Sequence, residues 1–222
     1  MALCVKPKGK VLPMEIKPIF LSQMANFCYM LGDEATRTCA VIDPAFSPKK
    51  ILDDIKRAGY RITHVINTHG HSDHTSGNAG IIEATGATLC IHRADAGQVI
   101  KLLNRALSRV LGGKGSPEAD HLLEDNDTIC IGETLLTVIH TPGHTPGSIC
   151  IHADGNLFTG DTLFVGAVGR TDLPGGSSRQ LLASIRKKLY TLPDDTRVWP
   201  GHDYGEAPTS TIGREKLTNP FT

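Results

Sequence analysis

The pattern of apolar and polar positions predicts a chain of many short strands with helices between them. Runs rich in Val, Ile and Leu and bounded by Gly, Pro, Asn or Asp are typical of strands, and such runs recur along the chain. The predicted strands cover residues 14–21, 27–31, 38–42, 62–66, 87–91, 128–131, 135–139, 148–152, 157–159 and 198–199. β structure therefore opens the chain and returns after its midpoint.

Four segments instead have apolar residues at helical spacing. In segment 47–58 a serine in the cap position and a proline at the first helical position open the helix, and Gly59 ends it. The other predicted helices cover 76–84, 94–111 and 179–189.

The polar, turn-rich segment 112–127 divides the chain and is predicted to be a loop, as well as a candidate lid over a site. Strands followed by helices occur once on each side of it. This repetition predicts two similar α/β halves whose sheets pack together between outer helices. A Rossmann fold is less favoured, because no G-x-G-x-x-G follows the first strand. We expect residues 1–222 to form a single domain.

Composition and charge exclude several classes of protein. The chain has 222 residues, with 23 Lys and Arg against 23 Asp and Glu. A zero net charge supplies none of the phosphate attraction that nucleic-acid binding needs, so no nucleic-acid partner is expected. The chain contains neither the roughly 18 apolar residues of a membrane span nor the apolar stretch of a signal peptide. We therefore expect a cytoplasmic protein without a membrane partner; a homodimer stays open.

A dense group of candidate metal ligands follows the strand 62–66. The pattern H-x-H-x-D-H places His69, His71, Asp73 and His74 within six residues, an arrangement that chance would give about once in a thousand chains of this length. Imidazole suits zinc, iron and manganese, and a carboxylate can bridge two ions. Because alternate residues of a loop can point to different ions, the first two histidines could share one ion while Asp73 and His74 face a second.

Three further candidates each follow a strand-like run and a glycine-containing turn. They are His144 in HTPGHTPG, Asp161 in LFTGDTL and His202 in VWPGHDYG. A closed zinc site that only stabilises a fold favours cysteine ligands, and none of these seven residues is a cysteine. We expect His140 to make a hydrogen bond behind the site rather than to bind metal. The remaining histidines are predicted to be ordinary surface or core residues: His64, His92, His121 and His152.

The string THGHSDH, with Asp43 in VIDP and the later His, Asp and His in that order, resembles the metallo-β-lactamase superfamily over nearly the whole chain. The resemblance implies an αββα four-layer sandwich, an α/β (α+β) fold that agrees with the two predicted halves. It implies that Asp161 bridges two metal ions and that Asp43 orients ligands. The other implied ligands are His69, His71 and His144 for the first ion and Asp73, His74 and His202 for the second. Arg170 and Tyr204 match positions near the substrate in related enzymes.

Two groups within the superfamily share further strings with this chain. GRTDLPGG, PGHDYG and the terminal TSTIGREKLTNPF resemble short bacterial glyoxalase II-like (hydroxyacylglutathione) hydrolases, whereas GRTD and HDY also resemble the iron-dependent persulfide dioxygenases. The first resemblance implies two divalent ions, with zinc expected and iron or manganese as alternatives. It also implies hydrolysis of S-D-lactoylglutathione or a related acyl-glutathione by a metal-bound hydroxide, with Asp73 and Asp161 as catalytic residues.

Three alternatives to this hydrolase remain. A single iron held by His69, His144 and Asp161 would support oxidation of glutathione persulfide. A non-catalytic metal-binding module is disfavoured by the full set of seven ligands, and a nuclease of the same superfamily is disfavoured by the neutral charge. The resemblance does not include the additional C-terminal helical domain that helps larger glyoxalase II enzymes bind glutathione, which leaves the acyl substrate open.

Overall fold

A computed structural model describes residues 13–97 and 115–222. The first half of the chain forms a six-stranded sheet, sheet 1, in the order β1-β2-β3-β4-β5-β6. Its strands are β1 (Glu15–Leu21), β2 (Asn26–Asp33), β3 (Thr38–Ile42), β4 (Arg61–Asn67), β5 (Thr88–His92) and β6 (His121–Leu123). β1 to β3 pair antiparallel, and β3 to β6 pair parallel.

The second half forms another six-stranded sheet, sheet 2, in the order β14-β13-β10-β9-β8-β7. Its strands are β7 (Thr128–Ile131), β8 (Thr134–His140), β9 (Ile149–Ala153), β10 (Asn156–Gly160), β13 (Arg197–Pro200) and β14 (Ser210–Thr211). A separate two-stranded hairpin contains β11 (Leu163–Phe164) and β12 (Ala167–Val168).

Helices cover the outer faces of both sheets. The described helices are α1 (Pro48–Arg57), α2 (Ser72–Thr75), α3 (Asn78–Thr85), α4 (Ser178–Lys187) and α5 (Ile212–Thr218), with 3-10 turns at Gln23–Ala25 and Leu189–Thr191. None of the helices in the described ranges has the length and apolar character needed to cross a membrane.

Side chains of successive strand residues point to opposite faces of each sheet, and the buried ones form three layers of hydrophobic core. Phe27 and Tyr29 of β2 face sheet 2, where they pack with residues such as Phe158. Met30, on the other face of β2, belongs to the cluster that α1 completes with Ile51. A third cluster lies between α4 and the outer face of sheet 2 and includes buried residues of both, as well as of α5. The αββα sandwich is therefore confirmed, with helix, sheet, sheet and helix in successive layers.

The structure changes several predicted helix boundaries. The helix predicted over 47–58 is α1, with its proline at the first helical turn. Ser47 occupies the cap position, but it has a left-handed backbone (φ 58°) and its side chain caps nothing, so the predicted serine cap is wrong. The helix predicted over 76–84 is α3, which the short separate helix α2 precedes.

The region around the predicted lid also differs from expectation. Residues 93–97 form turns rather than the start of a helix, and the rest of the helix predicted over 94–111 lies outside the described residues. Within the predicted loop 112–127, residues 121–123 form the edge strand β6, because pairing with β5 buries Leu123.

Candidate metal centre

The seven predicted ligands follow strands at one edge of the two sheets: Asp73 and His74 lie in the short helix α2, and the other five lie on loops. β4 ends at Asn67 just before the H-x-H-x-D-H loop, and β8 ends at His140 before His144. Asp161 follows the last residue of β10, and His202 follows β13. The structure brings all seven side chains together. Two groups of three, which we call the first triad and the second triad, lie on either side of Asp161, and a third group of Asp43, His69 and His74 overlaps both.

The first triad consists of His69, His71 and His144, whose ring nitrogens lie within 4.8 Å of one another. The His144 Nδ1 atom donates to the backbone carbonyl of Arg170 at 2.7 Å. Its Nε2 atom therefore faces the site as a lone pair, 2.9 Å from Nδ1 of His71. Nε2 of His69 is buried and has no hydrogen-bond partner among the described residues. Three imidazole nitrogens thus converge on one point.

The second triad consists of Asp73, His74 and His202. The His74 Nδ1 atom donates to Asp43 at 3.0 Å, and the His202 Nδ1 atom donates to the carbonyl of Met24 at 2.9 Å. These bonds direct both Nε2 atoms into the site, where they lie 3.1 Å apart. Oδ2 of Asp73 lies 3.6 Å from each of them.

Asp161 lies between the two triads. Its Oδ2 atom is 3.5 Å from Nε2 of His144 and 3.4 Å from Nε2 of His202. Its Oδ1 atom is 3.3 Å from Nε2 of His74, yet it makes no hydrogen bond within the described part of the chain. One carboxylate therefore reaches both groups of nitrogens.

The two triads differ in electrostatics. Burial lowers the pKa of His69 well below its usual value and that of His71 to about 4. Burial alone would also lower the pKa of His74, but the carboxylates of Asp161 and Asp73 raise it well above its usual value. Burial would raise the pKa of Asp161, yet the neighbouring His74 holds it well below the ordinary range. The carboxylate side of the site thus favours a positive charge.

These donors fit two metal ions. A buried imidazole nitrogen and a buried carboxylate oxygen without partners, at His69 and Asp161, are costly unless something accepts their lone pairs. Bare nitrogens that face each other at about 3 Å repel unless a proton or a cation lies between them. Imidazole and carboxylate suit zinc, iron and manganese alike. The cluster is therefore able to hold two such ions.

Asp43 lies behind the second triad, at the position from which the family resemblance expects it to orient ligands. Its carboxylate accepts hydrogen bonds from the amide and the hydroxyl of Thr68, at 2.8 and 2.6 Å, as well as from His74. These contacts hold the imidazole ring while its other nitrogen faces the site.

Arg170 and Tyr204 lie next to the triads. The Arg170 guanidinium is exposed and forms a bidentate pair with Asp172, while its backbone carbonyl accepts the hydrogen bond from His144. Tyr204 stacks on the ring of His202, with centroids 4.6 Å apart, and its hydroxyl donates to the Met24 carbonyl at 3.3 Å. Contact of either side chain with a substrate stays a prediction.

The other histidines lie outside the metal-type groups found among the described residues. His140 donates through Nε2 to the carbonyl of Pro146 at 2.9 Å, which holds the loop that contains His144. It also stacks on His92.

The terminal string TSTIGREKLTNPF has a structural role that sequence reasoning missed. Glu215 is completely buried and accepts hydrogen bonds from Ser210, Asn219 and the amide of Gly166. Gly166 is the turn of the β11–β12 hairpin, which follows Asp161. The string therefore connects α5 to the β11–β12 hairpin, which follows Asp161 in the chain.

Known proteins resemble the chain in sequence and in structure. The model of a family described as the metallo-beta-lactamase superfamily matches residues 22–202. Human persulfide dioxygenase ETHE1 is 31% identical over 215 residues, which cover 96% of this chain and 77% of that protein. A hydroxyacylglutathione hydrolase of Gloeobacter violaceus is 38% identical over 182 residues, covering 81% of this chain and 64% of the hydrolase.

A solved structure also resembles the chain. TTHA1623, crystallised in a di-iron-bound form, superposes with a TM-score of 0.79 at 31% identity, covering 93% of this chain and all of that one.

Proposed function

This chain belongs to the metallo-beta-lactamase superfamily, and from that premise we propose that it is a metal-dependent thioester hydrolase that binds two divalent ions. The observation that carries the proposal is the position of Asp161 between two complete triads. Two complete triads offer ligands for two ions, and two ions about 3.5–4 Å apart are typical of hydrolytic metal sites.

When bound, the two ions lower the pKa of a coordinated water from 15.7 towards about 7 and polarise the thioester carbonyl as Lewis acids. The histidines of the first triad would hold one ion through their ring nitrogens, and the Asp161 carboxylate would reach both triads. Asp73, of whose side chain 16% is exposed, accepts the proton of the attacking water. The water oxygen bonds to the thioester carbon and the C–S bond breaks.

The sulfur leaves with the electron pair of that bond as a thiolate. An ordinary thiol has a pKa near about 8.5, so this leaving group needs no strong general acid. The chain therefore requires no serine nucleophile or catalytic dyad.

The proposed substrate is S-D-lactoylglutathione or a related acyl-glutathione, and the proposed metal is zinc. The similarity to a hydroxyacylglutathione hydrolase supports the glutathione thioester, and zinc is one of the ions that imidazole and carboxylate ligands accept, together with iron and manganese. Arg170 and Tyr204, adjacent to the two triads, are proposed to contact the substrate.

A second candidate is a persulfide dioxygenase with one iron, which the likeness to human ETHE1 over 96% of this chain favours. His69, His144 and Asp161 would supply the two-histidine, one-carboxylate set that leaves positions open on non-haem iron. In that case oxygen uptake on glutathione persulfide, rather than thioester cleavage, would be the activity.

The test is thiol release from S-D-lactoylglutathione by metal-replete protein, followed with a thiol reagent. We expect wild type and Asp53→Asn, an exposed substitution on α1, to release thiol and Asp161→Ala to release almost none. No thiol release by wild type, or equal rates for wild type and Asp161→Ala, would overturn the hydrolase proposal.

A further inference from the structure

A buried carboxylate outside both triads joins the loops that form the first of them. Asp95 lies in the turn after β5, and only 2% of its surface is exposed. Its Oδ2 atom accepts a hydrogen bond from the amide of Gly70 and another from the hydroxyl of Thr145, each at 2.7 Å. Its Oδ1 atom accepts from the amide of Gly147, also at 2.7 Å.

The partners of Asp95 are neighbours of the metal-type histidines. Gly70 lies between His69 and His71, and Thr145 directly follows His144. Asp95 itself is in a third segment of the chain. One carboxylate therefore links the backbone of the H-x-H-x-D-H loop to the loop of His144.

The second glycine of HTPGHTPG shows how close this contact is. A Cβ atom built on Gly147 would lie 2.5 Å from Oδ1 of Asp95 and 2.6 Å from its Cγ. Only glycine lets the amide at this position approach the carboxylate. The φ angle of Gly147 is not positive. The contact with Asp95, rather than a left-handed backbone, is therefore what requires glycine here.

We propose that Asp95 is the positioning residue of the first triad and determines the affinity of that triad for its metal ion. The proposal rests on the metal binding proposed above. Without the carboxylate, the amides of Gly70 and Gly147 lose their acceptor, and the two loops lose the link that keeps His69, His71 and His144 convergent. The second triad is held by Asp43, which also reaches His69 through Thr68, and by the Met24 carbonyl. These supports do not involve the partners of Asp95, so we expect its loss to affect the first triad.

The test is a titration of metal-free protein with Co²⁺, followed by its visible absorption, and with Zn²⁺ in competition with a chelator. A His202→Ala background isolates the first triad, and a His144→Ala background isolates the second. Asp95→Asn, which keeps the shape and part of the acceptor capacity, and Asp95→Ala are each measured in both backgrounds. Mutation of groups behind metal ligands typically lowers metal affinity 10- to 100-fold.

Asp33 offers a matched control. It is also a buried carboxylate, and it accepts hydrogen bonds from the amides of Thr36 and Glu133 and the hydroxyl of Thr134. It lies at the opposite end of the strands, where β2 meets β3. Asp33→Asn is therefore expected to lower the thermal unfolding midpoint without changing the affinity of either triad.

We expect Asp95→Ala to weaken metal binding by the first triad about 10- to 100-fold and Asp95→Asn to weaken it less, with the second triad unchanged. Thr145→Val removes one hydroxyl donor and no charge, so it should give a smaller loss in the same triad even if the Asp95 variants do not fold. Unchanged first-triad affinity in every folded variant would overturn the proposal, as would equal losses in both triads or in Asp33→Asn.

The test of Asp95 can be distinguished from the test of the proposed hydrolase activity. Wild type that binds two ions but cleaves no thioester would contradict the proposed activity and leave the role of Asp95 intact. If wild type cleaves the thioester but the Asp95 variants bind metal with normal affinity, the hydrolase proposal stands and the proposed role of Asp95 is wrong.

Discussion

The two triads lie side by side, yet they are built differently. The first contains three imidazoles, two of them with pKa values lowered by burial. The second includes the carboxylate of Asp73 and a histidine, His74, whose pKa is raised despite burial. His69 and His71 are thus ready to donate lone pairs at neutral pH, whereas His74 holds a proton until a metal ion replaces it.

The supports behind the triads differ as well. Arg170 supplies a backbone carbonyl to the first triad, and Met24 supplies one to the second. A carboxylate completes each set of supports. Asp43 contacts a ligand ring directly, whereas the partners of Asp95 among the described residues are backbone amides and a hydroxyl beside the ligands. Asp43 therefore acts directly on a ring of the second triad and, through Thr68, on His69 of the first, whereas Asp95 acts on the loops of the first triad.

The largest effect is expected where the two triads meet. Asp161→Ala removes the carboxylate that reaches both, so the thioester hydrolase activity should fall at least about 100-fold, because transition-state stabilisation by metal ions amounts to several kcal/mol. Steady-state kinetics of thiol release measures the loss. Activity within a few-fold of wild type would show that the triads do not act together.

The next prediction separates the triads by metal content. His144→Ala should leave one ion per chain in place of two, held by the second triad, and His202→Ala should leave one ion in the first. Elemental analysis after dialysis gives the count. A variant that loses both ions would mean that the halves are not independent sites.

The pH dependence of metal binding tests the electrostatic difference between the two triads. A proton on His74 competes with the ion, so raising the pH removes the competitor and should strengthen binding to the second triad by up to about tenfold per pH unit below the pKa of His74. Burial lowers the pKa of His71 to about 4 and that of His69 well below its usual value. Protons on these two rings therefore do not compete with the ion near neutral pH, so the affinity of the first triad should change little between pH 6 and pH 8. Zn²⁺ titrations of His144→Ala and His202→Ala at several pH values test this, and equal slopes would contradict it.

The smallest effect is expected at the rim of the second triad. Tyr204→Phe keeps the ring that stacks on His202 and removes one long hydrogen bond to Met24. A single hydrogen bond contributes about 1 kcal/mol, so kcat/KM should fall by less than about tenfold and metal content should not change. A loss of metal would instead identify the hydroxyl as a support of His202.

The αββα layers and the cluster of seven could be predicted because both depend on local patterns. Strand alternation is visible in the sequence, and the H-x-H-x-D-H string is dense enough to stand out. The three later residues, His144, Asp161 and His202, each follow a strand and a glycine-containing turn, so their convergence follows from the sheets.

Other features had no local signal. Asp95 acts on amides and a hydroxyl that lie 25 to 52 residues away in the sequence, and nothing next to it marks that role. β6 buries a single leucine within a polar segment, too little for an alternating pattern. Met24 contributes a backbone carbonyl, which any residue type could supply. Tertiary contacts, rather than residue type, determine these three features.

The central claim is that the two triads hold two ions that act together on a thioester. The most direct measurement counts metal per chain and, on the same sample, records thiol release from S-D-lactoylglutathione and oxygen uptake on glutathione persulfide. We predict two ions per chain, thiol release and no oxygen uptake. One iron per chain, with oxygen consumed and no thiol released from the thioester, would contradict the account.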